Sequence, residues 1–182
     1  MPLNDTGRAQ AAELAERVVS YDFRALWCSP LLRARETANI VAVAIGLEPK
    51  EDARLMETDA GDWTDRTFAD VRSEAPQLFD AFAAAEPGFA FPGGESFTEQ
   101  EMRVDAALRD VEAGVLPALV VCHGMVIRAA FAARATDKSV PFKRLPNAAL
   151  VPLDLLAATQ AAERGELGGG EATVASRSAP PR

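Results

Sequence analysis

The sequence predicts an α/β domain of layered architecture, and three observations carry that expectation. Two short apolar runs, residues 24–28 and 117–122, each lead directly into a polar turn and then a helical stretch. Near the start, Ala11, Leu14, Ala15, Val18 and Val19 fall at i, i+3, i+4, i+7 and i+8, the stripe of a helix buried on one face. With 182 residues, 48% apolar and 25% charged, the chain has the size and balance for one ordinary core and not for two.

Taken in order, Asn4 is placed to cap a helix beginning at Asp5, which Tyr21-Asp22 closes. Residues 24–28 read as a buried strand. Ser29-Pro30 turns the chain, and Pro30 suits the first turn of a helix that runs through Arg33, Thr37, Ile40 and Val43 to a stop at Gly46. The stretch 47–65 has no clear period. Residues 68–85 look helical with a break near Pro76, and 87–94 form a loop. Ser96-Phe97-Thr98-Glu99 has the form of a capping box, so a helix is expected over 97–113. Residues 117–122 are the second strand, 125–134 a helix after His123-Gly124, and 147–155 a third strand. Beyond Glu166 come a triple glycine and Ser-Ala-Pro-Pro-Arg, so 166–182 is expected to be a disordered tail behind a domain at 1–160.

Charge narrows the partners. A net charge of −8 argues against a nucleic-acid backbone, which calls for a basic surface. It leaves room for a small phosphorylated metabolite, because a few arginines in one pocket override an acidic exterior. No stretch has the apolar length to cross a bilayer, and the first residues lack the apolar core of a secretory signal; a cytoplasmic protein with no membrane partner is expected. Cys28 and Cys122 are expected to be buried, reduced thiols. Neither has metal-ligand spacing, and with one histidine in the chain no zinc site is expected. The oligomeric state is left open.

The two strand ends resemble each other: Cys28-Ser29-Pro30 and Cys122-His123-Gly124. If the strands lie close in one sheet, Ser29, Arg33 and His123 converge at its carboxyl edge, where helix N-termini favour an anion. Singly, the residues stay ambiguous. Taken alone, His123 reads more readily as a satisfied buried side chain and Arg33 as a solvent-facing helix residue, and Glu57 fits an ordinary surface carboxylate.

Their company decides more. Five segments resemble, in order, signature motifs of the histidine phosphatase (phosphoglycerate mutase-like) superfamily. They are Pro2-Leu3-Asn4-Asp5-Thr6-Gly7-Arg8-Ala9-Gln10-Ala11, Ser29-Pro30-Leu31-Leu32-Arg33-Ala34-Arg35-Glu36-Thr37-Ala38, Leu55-Met56-Glu57-Thr58-Asp59-Ala60-Gly61-Asp62-Trp63, Pro92-Gly93-Gly94-Glu95-Ser96 and Val120-Val121-Cys122-His123-Gly124. The resemblance implies a three-layer α/β/α sandwich of the phosphoglycerate mutase type and a phosphomonoesterase working through a phosphohistidine, with no metal and no cofactor. Arg33 then corresponds to the arginine that grips phosphate as a planar fork. Glu57 corresponds to the acid that protonates the leaving oxygen, which calls for a pKa raised by burial. His123 corresponds to the second histidine, steadying the transferring phosphoryl group, with Gly124 admitting backbone N–H groups to it. Gly94, Glu95 and Ser96 form a candidate substrate loop, although the glycines also suit a turn and Ser96 a helix cap. The short segment between Glu57 and Pro92 favours a small phosphatase over a mutase. The phenylalanines at 79, 82, 89 and 91 are expected to pack that segment on the core rather than line a pocket.

The chain departs from the family in one respect that matters. No Arg-His-Gly occurs, and His123, the single histidine, has the setting of the second histidine and not the nucleophile. The implied first strand of the sheet is therefore missing. The expectation is that Met1 is an internal methionine, with roughly 20 to 30 residues of strand, catalytic turn and loop lying upstream. The alternatives are a phosphoglycerate mutase-type phosphotransferase and a non-catalytic phosphate-binding relative. The chain as it stands is expected to be nearly inactive towards p-nitrophenyl phosphate. Trp63-Thr64-Asp65 replaces a more usual Trp-Glu-Gly, a change to the local loop only.

Overall fold

The computed structural model describes residues 1–134, 145–153 and 171–175. Helices α1 (Asp5–Val18), α2 (Leu32–Ile45), α3 (Phe68–Glu74), α4 (Pro76–Ala83), α5 (Phe97–Glu112) and α6 (Gly124–Arg134) accompany strands β1 (Ala25–Cys28), β2 (Pro49–Glu51), β3 (Ala118–Val121), β4 (Ala148–Pro152) and β5 (Glu171–Ala175). The sheet order is β2-β1-β3-β5-β4. Strands β2, β1 and β3 run parallel, while β5 pairs antiparallel with β3 and parallel with β4.

The parallel centre explains why the apolar runs lack alternation: both faces of such strands are covered. Side chains still divide between the faces with period two. Leu26, Cys28, Leu119 and Val121 pack with Leu14, Val18, Ala34, Ala38 and Val41 of α1 and α2. Trp27, Ala118 and Val120 pack with Val104, Leu108 and Val111 of α5 and with Val126 and Ile127 of α6. The result is the layered helix–sheet–helix arrangement that the sequence implies.

Local chemistry sets the helix ends. Asn4 Oδ1 accepts the Gly7 N–H at 2.8 Å, and the Gly46 N–H donates to Ala42 O at 2.9 Å from a left-handed conformation, φ +68°, which glycine adopts without strain. Ser96 and Glu99 form the full capping box of α5, with Ser96 Oγ accepting the Glu99 N–H at 3.1 Å and Glu99 Oε2 accepting the Ser96 N–H at 2.8 Å. Helix α2 begins at Leu32, later than Pro30 suggested. The Leu31 N–H bonds back to Ser29 Oγ at 3.2 Å, a serine turn that holds Leu31 extended before the helix starts.

A third cluster closes the connection from Glu57 to α5. Trp63 packs against Phe79, Phe82, Phe89 and Phe91, with ring centroids 5.3–6.3 Å apart. Phe79, Phe89 and Phe91 are buried there, so these rings fasten the segment to itself and to Phe97 on α5. Two elements differ from the sequence expectation. Strand β2 lies in the stretch that showed no period, because an edge strand of three half-buried or exposed residues has no apolar pattern to show. Of the 166–182 segment read as a disordered tail, Glu171–Ala175 forms β5, and the rest lies outside the described residues. The last two residues of the expected 147–155 strand also lie outside them.

Leu55 is fully buried in the cluster beneath α5 and α6. Leu55→Ala is expected to cost about 2–5 kcal/mol in chemical denaturation. Val43, 87% exposed on α2, should tolerate alanine within about 0.5 kcal/mol. Equal effects of the two would contradict this core.

Candidate active site

Strand pairing does the first work. The β1–β3 ladder sets Cys28 beside Val121, and the Ser29 N–H continues it to Val121 O at 2.9 Å. The next residues on each strand are thereby forced together. His123 Nε2 lies 2.8 Å from Ser29 Oγ, both residues being buried. The His123 carbonyl accepts the Ile127 N–H at 3.0 Å, so the imidazole stands at the start of α6. Arg33 occupies the first turn of α2, directly beyond the Ser29 turn.

Glu57 arrives from a different direction, on the loop after a single helical turn at Ala53–Leu55. Its carboxylate accepts the Thr58 N–H at 3.0 Å and also the Met125 N–H in the first turn of α6. Burial nevertheless dominates and pushes its pKa above the ordinary carboxylate range, against the pull of those amides and of the Arg33 and Arg103 charges. His123 moves the other way. Burial first, then the positive charges of Arg33 and Arg103, lower its pKa to about 3, so the ring is neutral at physiological pH. The Arg33 charge thus reaches both Glu57 and His123. Gly124 follows His123 at the surface, and a Cβ there would meet no protein atom within 4 Å. Packing alone therefore gives no reason for glycine at this position. Cys28 and Cys122 are free thiols raised by burial to about 11 and about 12, which keeps them protonated and unreactive.

The candidate substrate loop has work inside the protein. A Cβ at Gly94 would collide with the Asp59 carbonyl oxygen, and one at Gly61 with the Pro92 carbonyl, so the two loops touch backbone to backbone. Glu95 binds Arg103, and Ser96 caps α5. Gly94 and Glu95 thereby hold the Glu57 loop in place, while Ser96 serves the helix.

Arg103 is the residue that the sequence did not single out. Its Nε donates to Glu95 Oε2 at 2.8 Å and its Nη2 to Glu95 Oε1 at 2.6 Å. Nη1 donates to the carbonyls of Arg54 and Met56 at 2.6 and 2.8 Å, while Nη2 reaches the Glu57 carbonyl at 3.5 Å. Glu95 Oε1 in turn accepts the Asp59 N–H at 2.9 Å. One guanidinium on α5 therefore fixes the backbone on either side of the acid. A weak clue existed in the eight-residue spacing of Glu95 and Arg103 across a capped helix start, but backbone carbonyls as partners leave no mark on a sequence. Among the described residues, no group of three or more His, Cys, Asp or Glu side chains is placed to hold a metal ion, and no helix is long and apolar enough to cross a membrane.

A sheet whose parallel centre gathers at its carboxyl edge a buried histidine, an arginine and a carboxyl group matches the phosphoglycerate mutase-like class of α/β proteins. The chain belongs to the histidine phosphatase superfamily (branch 1), whose sequence model matches residues 1–164. It is 35% identical over 129 residues to the probable phosphoglycerate mutase GpmB of Photorhabdus laumondii, covering 69% of this chain and 60% of that protein. The corresponding protein of Yersinia pestis matches to the same extent. The chain thus spans about 60% of the length of these curated relatives. Among solved structures, a mycobacterial glucosyl-3-phosphoglycerate phosphatase superposes with a TM-score of 0.74 at 28% identity, over 82% of this chain and 77% of that one. YhfR of Bacillus stearothermophilus gives 0.70 at 30% identity, over 79% and 74%. The mycobacterial phosphatase is also known in complexes with VO3 and with inorganic phosphate.

Because the folded pKa of Glu57 is raised, its contribution to stability is present at low pH and lost as pH rises through the raised value. Glu57→Gln keeps an acceptor for the Met125 amide and removes that loss. The variant is expected to melt roughly 2–4 °C higher than the wild type at pH 8, with the gap narrowing towards pH 4. A gap that widens on acidification would mean that Glu57 is stabilised as the anion.

Proposed function

We propose that this chain carries the phosphate-gripping and acid groups of a phosphomonoesterase that acts on a small phosphorylated metabolite. The observation that carries the reading is the grouping of a buried His123, kept neutral, with a half-buried Glu57, uplifted by desolvation, and a half-buried Arg33 whose charge acts on both. An ordinary surface carboxylate or a solvent-facing arginine has no such surroundings. In this reading the guanidinium of Arg33 binds two equatorial phosphoryl oxygens. His123 donates one hydrogen bond to the phosphoryl group. Glu57, protonated, gives its proton to the leaving alkoxide and afterwards takes one from the attacking water.

The nucleophile is the part that this sequence does not supply. The family's mechanism runs through a phosphohistidine in an Arg-His-Gly motif, and no such motif is present. Catalysis by this route belongs to a protein that also carries that segment. The chain by itself binds phosphate and turns over very slowly.

A mutase is the second reading, favoured by the names of the curated relatives. The phosphatase reading is supported by the short Glu57–Pro92 connection, which the Trp63 aromatic cluster closes on itself. In a protein carrying the Arg-His-Gly segment, release of inorganic phosphate should exceed isomerisation of 3-phosphoglycerate, and the reverse ratio would establish the mutase.

For the chain as it stands, titration with orthovanadate or inorganic phosphate followed calorimetrically is the decisive test. Binding is expected, and Arg33→Ala should weaken it about 100-fold, the effect of losing a charge-assisted forked contact. Hydrolysis of p-nitrophenyl phosphate should stay close to the uncatalysed rate. Binding indifferent to Arg33, or turnover at enzymatic rates, would overturn the assignment.

A further inference from the structure

Ser29 has so far no chemical task, although it is the direct partner of His123. It is fully buried at the end of β1, with Oγ 2.8 Å from His123 Nε2. The same oxygen accepts the Leu31 N–H at 3.2 Å. A serine hydroxyl offers one proton and two acceptor positions, and the Leu31 amide occupies one of these. The contact with Nε2 then has two forms. Either Nε2 carries the ring proton and gives it to the second acceptor position, or a bare Nε2 receives the hydroxyl proton.

The two forms differ in what they leave unmet. In the first, the hydroxyl proton is sealed inside the protein with no acceptor, since among the described residues no further hydrogen bond from Ser29 Oγ exists. A buried donor without a partner bears its full desolvation cost. In the second, the amide, the hydroxyl and Nε2 are all paired. Burial and the two nearby arginines keep the ring neutral, so it holds one proton, and with Nε2 bare that proton sits on Nδ1. Nδ1 has no hydrogen bond to the protein among the described residues, which leaves it for a ligand.

We propose that Ser29 is a positioning residue that fixes His123 as the Nδ1–H tautomer, and that Nδ1–H is the donor presented to a phosphoryl oxygen. The second half rests on the phosphatase reading above; the first stands on the Ser29–His123 geometry alone. A neutral imidazole free in water favours its proton on Nε2, so the serine imposes the minor form. The consequence for the site is a division of labour. Arg33 supplies the charge that attracts the anion, and His123 supplies a neutral, oriented donor that stays in place over the whole physiological pH range.

His123 is the only histidine in the chain, so 15N-labelled histidine gives a single imidazole whose two nitrogens are distinguished by their long-range 1H–15N correlations. At pH 7 the wild type is expected to show a protonated Nδ1 and a bare Nε2. Ser29→Ala should move the proton to Nε2 in most molecules, and Ser29→Thr, which keeps the hydroxyl, should restore the wild-type pattern. Orthovanadate should shift Nδ1 more than Nε2, and Ser29→Ala should weaken its binding about tenfold, against the larger loss from Arg33→Ala. A wild type with its proton on Nε2 overturns the proposal without any variant having to fold. Vanadate that binds through Arg33 yet leaves Nδ1 unmoved overturns the donor role. If the wild type binds no anion at all, the phosphatase reading falls, while a protonated Nδ1 still upholds the part of Ser29 and a bare one overturns it.

Discussion

The parallel pairing of β1 with β3 is the constraint from which the site follows. Two strands that share direction end at the same edge, and a register of Cys28 opposite Val121 leaves Ser29 and His123 no choice but to meet. The helices after them start at that edge for the same reason, bringing Arg33 on one side and the Met125 amide on the other. A slip of one residue in this ladder would turn the side chains of the slipped strand to the opposite face. The buried rows on both faces of the sheet, Leu26 and Leu119 towards α1 and α2, Trp27 and Val120 towards α5 and α6, hold the register and with it the meeting of Ser29 and His123.

The acid is placed by other means, and at a cost. A carboxyl group set against the first turn of α6 gains from the amide it meets, but burial outweighs that gain. The protein tolerates this because the surrounding backbone cannot relax. Arg103 ties the carbonyls of Arg54, Met56 and Glu57 to α5, Glu95 ties Arg103 and Asp59, and the backbones of Gly61 and Gly94 touch where no side chain fits. Local groups that disfavour the fold persist where neighbouring structure over-determines them.

Much of this was legible in the sequence because apolar pattern and cap chemistry are local. The two four-residue strands, the Asn4 cap, the Gly46 stop and the Ser96–Glu99 box all appear where the residues implied them. Arg33, Glu57 and His123 were legible only through family resemblance, since each alone fits a bland reading. Arg103 was not, because its partners are mostly carbonyl oxygens, which every residue has. Strand β2 was not, because Pro-Lys-Glu at a sheet edge buries almost nothing. Strand β5 was not either, since the glycine run before it signals a loop and its pairing with β3 and β4 joins segments far apart in sequence.

Arg103 and Glu95 give the molecule two separate mechanical supports. Ser29, Arg33 and His123 stand at the sheet edge, while Glu57 is hung from α5 by a bracket of side chain and backbone. Substitutions in the bracket, or in the aromatic segment behind it, can therefore re-aim the Glu57 carboxyl group without moving Arg33 or His123. A scaffold divided in this way can alter the surroundings of one group in small steps while the others keep their geometry.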